Sequence, residues 1–413
     1  MTLSSEVCPL RFIVIQMGAR MHYAVPALLA RHGMLEHFYT DICSNVGFSG
    51  IISHLLPNSI RPQPVKRFLG RKLPPEIQPS QVTTVPLTTL TNFVAQNLQT
   101  RGINTPSVIN PELKILQRVL KDNLSNANSL YTNCINSDIE VVQKAKDKGI
   151  SIVHEVIINA DVGRILRDER NLYPGIEMQD DLDEVEEGIK RDLKKWEMSD
   201  LILVPSDFVY DRTVKLGGKA DKIVTVPYGI DQDWFNNQPN PQRGRVLFVG
   251  SVSLRKGNHY LAQATRILQK RKVNCDVRVV GPYEPQAIEH PEFLGPDYVG
   301  QCPRTHVRKE FLEADIFVLP TLSDSFALVH LEAMACGVPV ITTPNCGSVV
   351  RDGVDGFIVP IRDAQTLADR IEQLLTDNNL RNQMSQNAKA RAKEFTWEKY
   401  GQRLMDAFKK LAK

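Results

Sequence analysis

Two carboxylates eight positions apart, Asp324 and Glu332, carry the densest chemical signal in the chain, within DIFVLPTLSDSFALVHLEAMACGVPVITTP (Asp315–Pro344). An apolar run ends at Pro320, the polar loop Thr321–Ser325 follows, and a helical pattern carries Glu332. A loop of this kind presents backbone N–H groups and a helix N-terminus, which together favour an anion such as a diphosphate. The two acids are then placed to accept hydrogen bonds from ligand hydroxyls. A plainer reading also fits: Asp324 caps the helix, as acids near helix starts commonly do, and Glu332 is an ordinary helix residue. Spacing alone does not separate the two.

These residues need elements to position them. Arg11–Met17 is a short apolar run that ends at Gly18, and the helical pattern Ala24–His32 follows, which opens a βα unit. Strand-sized runs return at Ser129–Asn133, Ile150–Val153 and Leu201–Val204, separated by helical patterns such as Ile139–Lys148 and Leu182–Met198. The stretch Asn45–Leu90 is Pro-rich and reads as irregular. After the polar break Asn236–Gly244, a second series begins with the strand Arg245–Val249 and the helix Lys256–Lys270. It continues through strands at Asp276–Val280, Asp315–Leu319 and Val338–Thr342, and closes with helices at Ala364–Thr376, Leu380–Lys393 and Trp397–Lys410. Alternation of this kind implies parallel sheets covered on both faces. The expected fold is α/β, with two doubly wound Rossmann-like domains facing a central cleft and ligand at the carboxyl ends of the strands. The expected division is an N-terminal domain over 1–235, a linker over 236–244, a C-terminal domain over 245–395, and a last helix over 396–413 that returns toward the N-domain.

The stretch from Asp324 to Val340 resembles the acid–seven–acid signature of the retaining glycosyltransferases of family 4, which have the GT-B fold. The family form is acid-Gly-Phe-Gly, a few apolar residues, and then Glu-Ala-Met-Ala-x-Gly-x-Pro-Val. The resemblance continues through LFVGSVSLRKGNHYLAQA (Leu247–Ala264), VPSDFVYDRT to KIVTVPYGID (Val204–Asp231), and NCGSVVRDGVDGFIVP (Asn345–Pro360), where the family has a Gly-rich turn and a hairpin. It is strong from about Leu201 onward and weaker over the first 150 residues. Three departures stand out. Asp324 replaces the commoner glutamate, Ser325 and Ala327 replace glycines, and Ser251 stands where many members have an arginine, with Arg255 beside Lys256 as another source of that charge.

The resemblance implies transfer of a sugar from a nucleotide diphosphate donor to a glycan, lipid or small-molecule acceptor, with retained configuration, in surface polysaccharide or glycolipid synthesis. It implies no metal and no cofactor. Lys256 matches the lysine that contacts the donor diphosphate, and Ser251 and Arg255 flank that contact. Asp324 matches the acid that meets the sugar hydroxyls, and Glu332 the acid that holds the ribose. The backbone of Phe326, Ala327 and Leu328 is expected to approach the sugar and phosphates. In the N-domain, Gly18 matches a loop near the diphosphate, with Arg20 and His22 following, and His154 matches a histidine near the transferred sugar. The rivals are a non-catalytic scaffold that binds nucleotide sugar, and a nucleotide-sugar epimerase or a phosphorylase of the same fold.

Composition agrees with a globular enzyme. The chain has 413 residues, 42% of them apolar and 23% charged. Its 50 Lys and Arg against 47 Asp and Glu give a net charge of +3, which is no footprint for nucleic acid. No apolar run approaches the roughly 20 residues needed to span a bilayer. Seven scattered cysteines without a CxxC suggest small buried residues in a reducing compartment. Met1–Pro9 lacks the pattern of a signal peptide, so the expected location is cytoplasmic. The acidic run over 177–187 reads as a solvated helix start or loop. The basic cluster Arg61, Lys66, Arg67, Arg71 and Lys72 reads first as a solvated loop. Its second reading is contact of the N-domain with an anionic acceptor or with anionic lipid headgroups, the latter peripherally at the inner face of a membrane.

Overall fold

The computed structural model describes residues 10–46, 70–99, 110–135 and 137–411. Seven parallel strands form a first sheet: β1 (Phe12–Ile15), β2 (Leu35–Thr40), β3 (Val82–Thr84), β4 (Ser129–Thr132), β5 (Ser151–Glu155), β6 (Leu201–Val204) and β7 (Ile223–Thr225). Their spatial order is β3-β2-β1-β4-β5-β6-β7. A second parallel sheet contains β8 (Arg245–Val249), β9 (Asp276–Val280), β10 (Asp297–Gly300), β11 (Ile316–Leu319), β12 (Val340–Thr342) and β13 (Gly356–Ile358), in the order β10-β9-β8-β11-β12-β13. Both sheets are doubly wound. The direction of strand succession reverses between β1 and β4 and again between β8 and β11, and such switch points open a crevice at the carboxyl ends of the strands. The central strands β1, β4, β6 and β11 are buried along their whole length, as a sheet covered on both faces requires.

Several elements differ from the sequence reading. The segment Asn45–Leu90 is not wholly irregular, because β3 and the start of the helix Pro86–Gln99 fall in it. Asn345–Pro360 forms no antiparallel hairpin, since β13 joins the sheet parallel to β12. The helix expected from Lys256 begins at Asn258, behind Gly257 in the left-handed region at φ 72°. Residues 1–9, including Cys8, and Arg61, Lys66 and Arg67 lie outside the described residues. Cys43, Cys134, Cys336 and Cys346 are buried, while Cys275 and Cys302 are half-buried. Among the described residues no helix is long and apolar enough to cross a membrane.

The chain crosses between the sheets over 226–244. This stretch is tied down at both ends: Ile230 N–H donates to the Phe395 carbonyl at 2.8 Å, and Asn240 N–H to that of Leu312 at 2.8 Å. The helix Trp397–Phe408 leaves the second sheet and packs on the first, where the Phe408 ring lies 4.8 Å from that of Phe12.

A buried polar network joins the two halves on another side. Glu169, on the helix Val162–Leu172, is wholly buried. It accepts hydrogen bonds from His259 Nε2 (2.7 Å), the Tyr260 hydroxyl (2.7 Å) and Arg362 Nε (2.6 Å), all from the C-terminal half. Burial pushes its carboxyl up, but these three donors outweigh burial and hold it below the ordinary glutamate range. The acidic run is not simply solvated either. Glu177 bonds Arg170 and also accepts the Leu254 N–H at 2.8 Å, and so ties a loop of the C-terminal half to the N-terminal one. A largely buried arginine and a loop N–H are both partnered there.

Candidate active site between the two sheets

The C-terminal side of the site is built where β8 and β11 end. The loop Ser251–Gly257 follows β8, and Pro320–Ala327 follows β11. Close approach of the two loops needs a glycine: a Cβ on Gly257 would lie 1.9 Å from the Pro320 carbonyl oxygen. Arg255 locks them together, its carbonyl accepting from Leu322 N–H and the Thr321 hydroxyl at 2.9 Å each. Its guanidinium donates to the Ser323 carbonyl at 2.9 Å. The neighbouring Lys256 ammonium forms an ion pair with Asp324, both side chains about one-seventh exposed (14% and 16%). Burial pushes the Asp324 carboxyl up, but the charge and hydrogen bond of Lys256, with Arg255 beyond, hold it below its ordinary value.

Asp324 is therefore not a helix cap. The helix Leu328–Ala335 has Ala327 at its N-cap, with no side-chain cap bond. The loop before it is held by its neighbour instead. Asp324 N–H donates to the Asn345 carbonyl (3.0 Å), Gly347 N–H to that of Asp324 (2.7 Å), and Ala327 N–H to that of Gly347 (3.0 Å). Ala327 N–H is thus already engaged, whereas Leu328 opens the helix and lines the cleft. His330 N–H already donates to the Ala327 carbonyl at 2.9 Å, which leaves those of Leu328 and Val329 as the first-turn groups without a helical acceptor. The ring of Phe326 is buried against Tyr228, with centroids 5.2 Å apart. Ser251 is half-buried in the loop after Gly250.

Glu332 projects from this helix into a cavity of about 350 Å³ between the halves, which Met21, His22, Trp234, Arg304 and Leu328 also line. Burial raises the Glu332 carboxyl, only partly opposed by Arg304, whose guanidinium lies 3.5 Å away, and by Arg308. Arg308 stacks over the Trp234 ring at 4.6 Å. The N-terminal wall is the loop after β1. Gly18 has φ 69°, and its N–H donates to Asp41, which pairs with Arg71 at 2.5 Å. Met21, His22 and Tyr23 are all left-handed, with φ of 48°, 53° and 61°. Three such residues in a row store strain of the kind found at functional sites. The turn brings His22 Nε2 to 2.9 Å from the Arg304 guanidinium, and burial followed by that positive charge lowers the His22 pKa. A neutral His22 can then accept from Arg304.

His154 is placed apart from this group. It lies inside β5, not beyond its end, and is 3% exposed. It lines a second cavity of about 490 Å³ within the N-terminal half. Burial pushes its pKa well down, with the Lys195 charge adding to the effect, so the ring is neutral, and its Nδ1 is buried without a partner. Ser325, next to Asp324, ties that loop to the N-terminal half: its hydroxyl accepts the Asn159 N–H at 3.0 Å and its carbonyl accepts the Ser206 hydroxyl at 2.8 Å. Serine in place of glycine at this position thus supplies a contact between the halves.

The sequence reading missed Glu155. It is buried at the end of β5 and accepts from the Tyr131 hydroxyl (2.6 Å) and Asn133 Nδ2 (3.1 Å). A carboxylate in an otherwise apolar strand, next to a histidine that must point to the opposite face, was the available signal. Among the described residues, no group of three or more His, Cys, Asp and Glu is arranged to hold a metal ion.

Comparison with known proteins agrees with this architecture. Residues 230–391 match the family model of the glycosyl transferases group 1. Over those residues the chain is similar to that family, and its two doubly wound sheets have the GT-B fold. It is 30% identical over 241 residues to a D-inositol 3-phosphate glycosyltransferase of Kribbella flavida, covering 52% of this chain and 57% of that protein. It is 30% identical over 168 residues to the capsular polysaccharide biosynthesis glycosyltransferase CapM of Staphylococcus aureus, covering 37% and 43%. The matched region thus spans about half the length of these relatives. Among solved structures, Anabaena Alr3699/HepE in complex with UDP and glucose superposes with a TM-score of 0.60 at 14% identity, over 97% of this chain and 99% of that one.

Proposed function

We propose that this protein transfers a glycosyl group from a nucleotide diphosphate sugar to a hydroxyl of a glycan, lipid or small-molecule acceptor, with retention of configuration and without a metal ion, in polysaccharide or glycolipid synthesis. The observation that carries the reading is the convergence of Lys256, Arg255 and Asp324 at the switch point of the second sheet, beside the cavity that holds Glu332. Glu332 accepts the ribose hydroxyls, and Lys256, Arg255 and the N–H groups at Leu328 receive the diphosphate. Asp324 meets the sugar hydroxyls. The acceptor oxygen bonds the anomeric carbon on the face from which the diphosphate oxygen departs, and the acceptor's proton passes to that departing oxygen. The products are a glycoside and a nucleoside diphosphate. His154 acts from the acceptor side. Cationic side chains and helix N–H groups stabilise the charge that grows on the leaving group.

A thermal-shift panel of UDP-, GDP- and ADP-sugars tests this reading. The matching donor at 100 times its dissociation constant should add about 2.7 kcal/mol of stability. A protein that none of these donors stabilises would not be a glycosyltransferase of this kind. Two further outcomes are expected. Transfer should persist at full rate in excess chelator, and loss that magnesium or manganese restores would refute the metal-independent mechanism. Glu332→Gln should raise the donor KM and leave kcat nearly unchanged, because the ribose does not react and its binding is the same in ground and transition states. A severe fall in kcat at unchanged KM would show that Glu332 acts at the reacting centre.

A further inference from the structure

The 490 Å³ cavity of the N-terminal half opens at the carboxyl ends of β4 and β5, where Ile135, His154 and the segment Val156–Asn159 line it. Two buried polar side chains on its wall lack partners: His154 at Nδ1, and Asn159, 2% exposed, at both amide atoms. Burying unpaired hydrogen-bonding atoms is costly, so their presence on a cavity wall marks a place where a ligand supplies the missing partners. The rest of the wall has two characters. Ile135, Ile157, Ile158, Val162 and Val185 form an apolar surface, and Asp180, Asp181, Glu184 and Asp192 place four carboxylates around it.

Among the described residues, no lysine or arginine lines this cavity. Two cations near its acids are already engaged. Arg170 pairs with Asp180 at 2.7 Å. Lys195, 1% exposed, lies 3.4 Å from Asp192 and 3.2 Å from Asp138, and it donates to the Cys134 carbonyl at 2.9 Å. Asp181 caps the helix Leu182–Met198 by accepting the Asp183 N–H, which leaves its charge in place. Asp181 and Glu184 form no ion pair among the described residues, so the wall presents more negative than positive charge to the cavity.

We infer that this cavity is the acceptor site and takes a neutral polyhydroxylated molecule, a saccharide or cyclic polyol, and rejects phosphorylated ones. The inference rests on the glycosyltransferase reading above. Carboxylates and a primary amide bind hydroxyls by accepting and donating hydrogen bonds, the isoleucine and valine wall covers the C–H face of a ring, and the same carboxylates repel a phosphate. Asn159 bonds Ser325, next to Asp324, so a hydroxyl at the inner end of the cavity lies toward the sugar side of the donor site. The relatives named for D-inositol 3-phosphate act on an anionic acceptor by their name, and here the acceptor side of the chain parts from them.

The test is ligand-detected NMR on the full chain with a saturating nucleoside diphosphate, using glucose, maltose and myo-inositol against glucose 6-phosphate and inositol 3-phosphate. At least one neutral polyol should bind at least about tenfold more tightly than its phosphate, a difference well within the resolution of affinity measurements. The double variant Asp181→Asn/Glu184→Gln keeps a helix cap and should narrow that gap by strengthening the phosphates. Equal or tighter binding of the phosphates to the unaltered protein overturns the inference, and so does binding of no polyol with a dissociation constant below about 10 mM, a range in which weak sugar sites are still detected. Nucleotide-sugar binding is measured on the same sample. If it persists while polyols fail, the acceptor inference alone falls. If it fails too, the glycosyltransferase reading falls with it.

Discussion

Lys256→Ala should lower turnover by about a hundred- to a thousandfold, the usual cost of losing a group that stabilises charge developing in the transition state. The donor KM should change much less, because the diphosphate gains its extra negative charge only as the sugar leaves. The lysine is held by Asp324 on a loop fixed by Gly257 and Arg255, which sets its position at the end of β8. The substitution has a second consequence. The folded pKa of Asp324 is depressed, so its ionised form stabilises the fold above the ordinary carboxylate range. That contribution is lost as the pH falls through the lowered pKa. Without the lysine, burial dominates, the carboxyl rises, and this part of the acid dependence of stability should disappear. Steady-state kinetics, together with unfolding followed from pH 7 down to about pH 2, so that the scan runs below the ordinary carboxylate range, check both effects. Turnover within about threefold of the unaltered protein would remove Lys256 from the mechanism, since so small a change is under 1 kcal/mol of barrier.

Glu169→Ala should be among the most destabilising single changes in the molecule. It strips one carboxylate from His259, Tyr260 and Arg362 together, inside the junction of the two halves. Removing one partner of a buried, charged and hydrogen-bonded group costs about 3–5 kcal/mol. Glu169→Gln keeps the shape and one acceptor oxygen but loses the charge, and should fall between. Because the network joins two sheets, the loss should appear first as separation of the halves. Calorimetry should then resolve two transitions for Glu169→Ala where the unaltered chain shows closer coupling. A variant that melts as the unaltered protein does would show that the linker and the helix Trp397–Phe408 hold the halves together unaided.

What could be read from the sequence follows the physics of the sheets. Strands in the middle of a doubly wound sheet are buried on both faces and appear as unbroken apolar runs, as in LILV of β6 and IFVL of β11. The missed strands include all four edges, β3, β7, β10 and β13, which have three or four residues each. The other is β2, whose Glu36 and His37 interrupt its apolar pattern. Edge strands pair on one side only and carry a weaker signal. The grouping of Lys256, Asp324 and Glu332 was legible as a candidate because they sit in compact motifs, Lys256 and Asp324 on loops that follow strands and Glu332 on the helix after the second loop. The Glu169 network was not, since its partners lie 90, 91 and 193 positions away and only the tertiary fold brings them together. The same holds for Asn159, which becomes notable only once its amide is seen buried without a partner.

The central claim is that a nucleotide diphosphate sugar lies across the second sheet's switch point, ribose on Glu332 and diphosphate on Lys256. A crystal structure with the nucleoside diphosphate that most raises the melting temperature tests it directly. The account predicts ribose hydroxyls within hydrogen-bond distance of the Glu332 carboxylate, phosphate oxygens on Lys256 Nζ and at the start of the helix Leu328–Ala335, and the Lys256–Asp324 pair opened to receive them. A diphosphate bound elsewhere, with Lys256 still closed on Asp324, would contradict it.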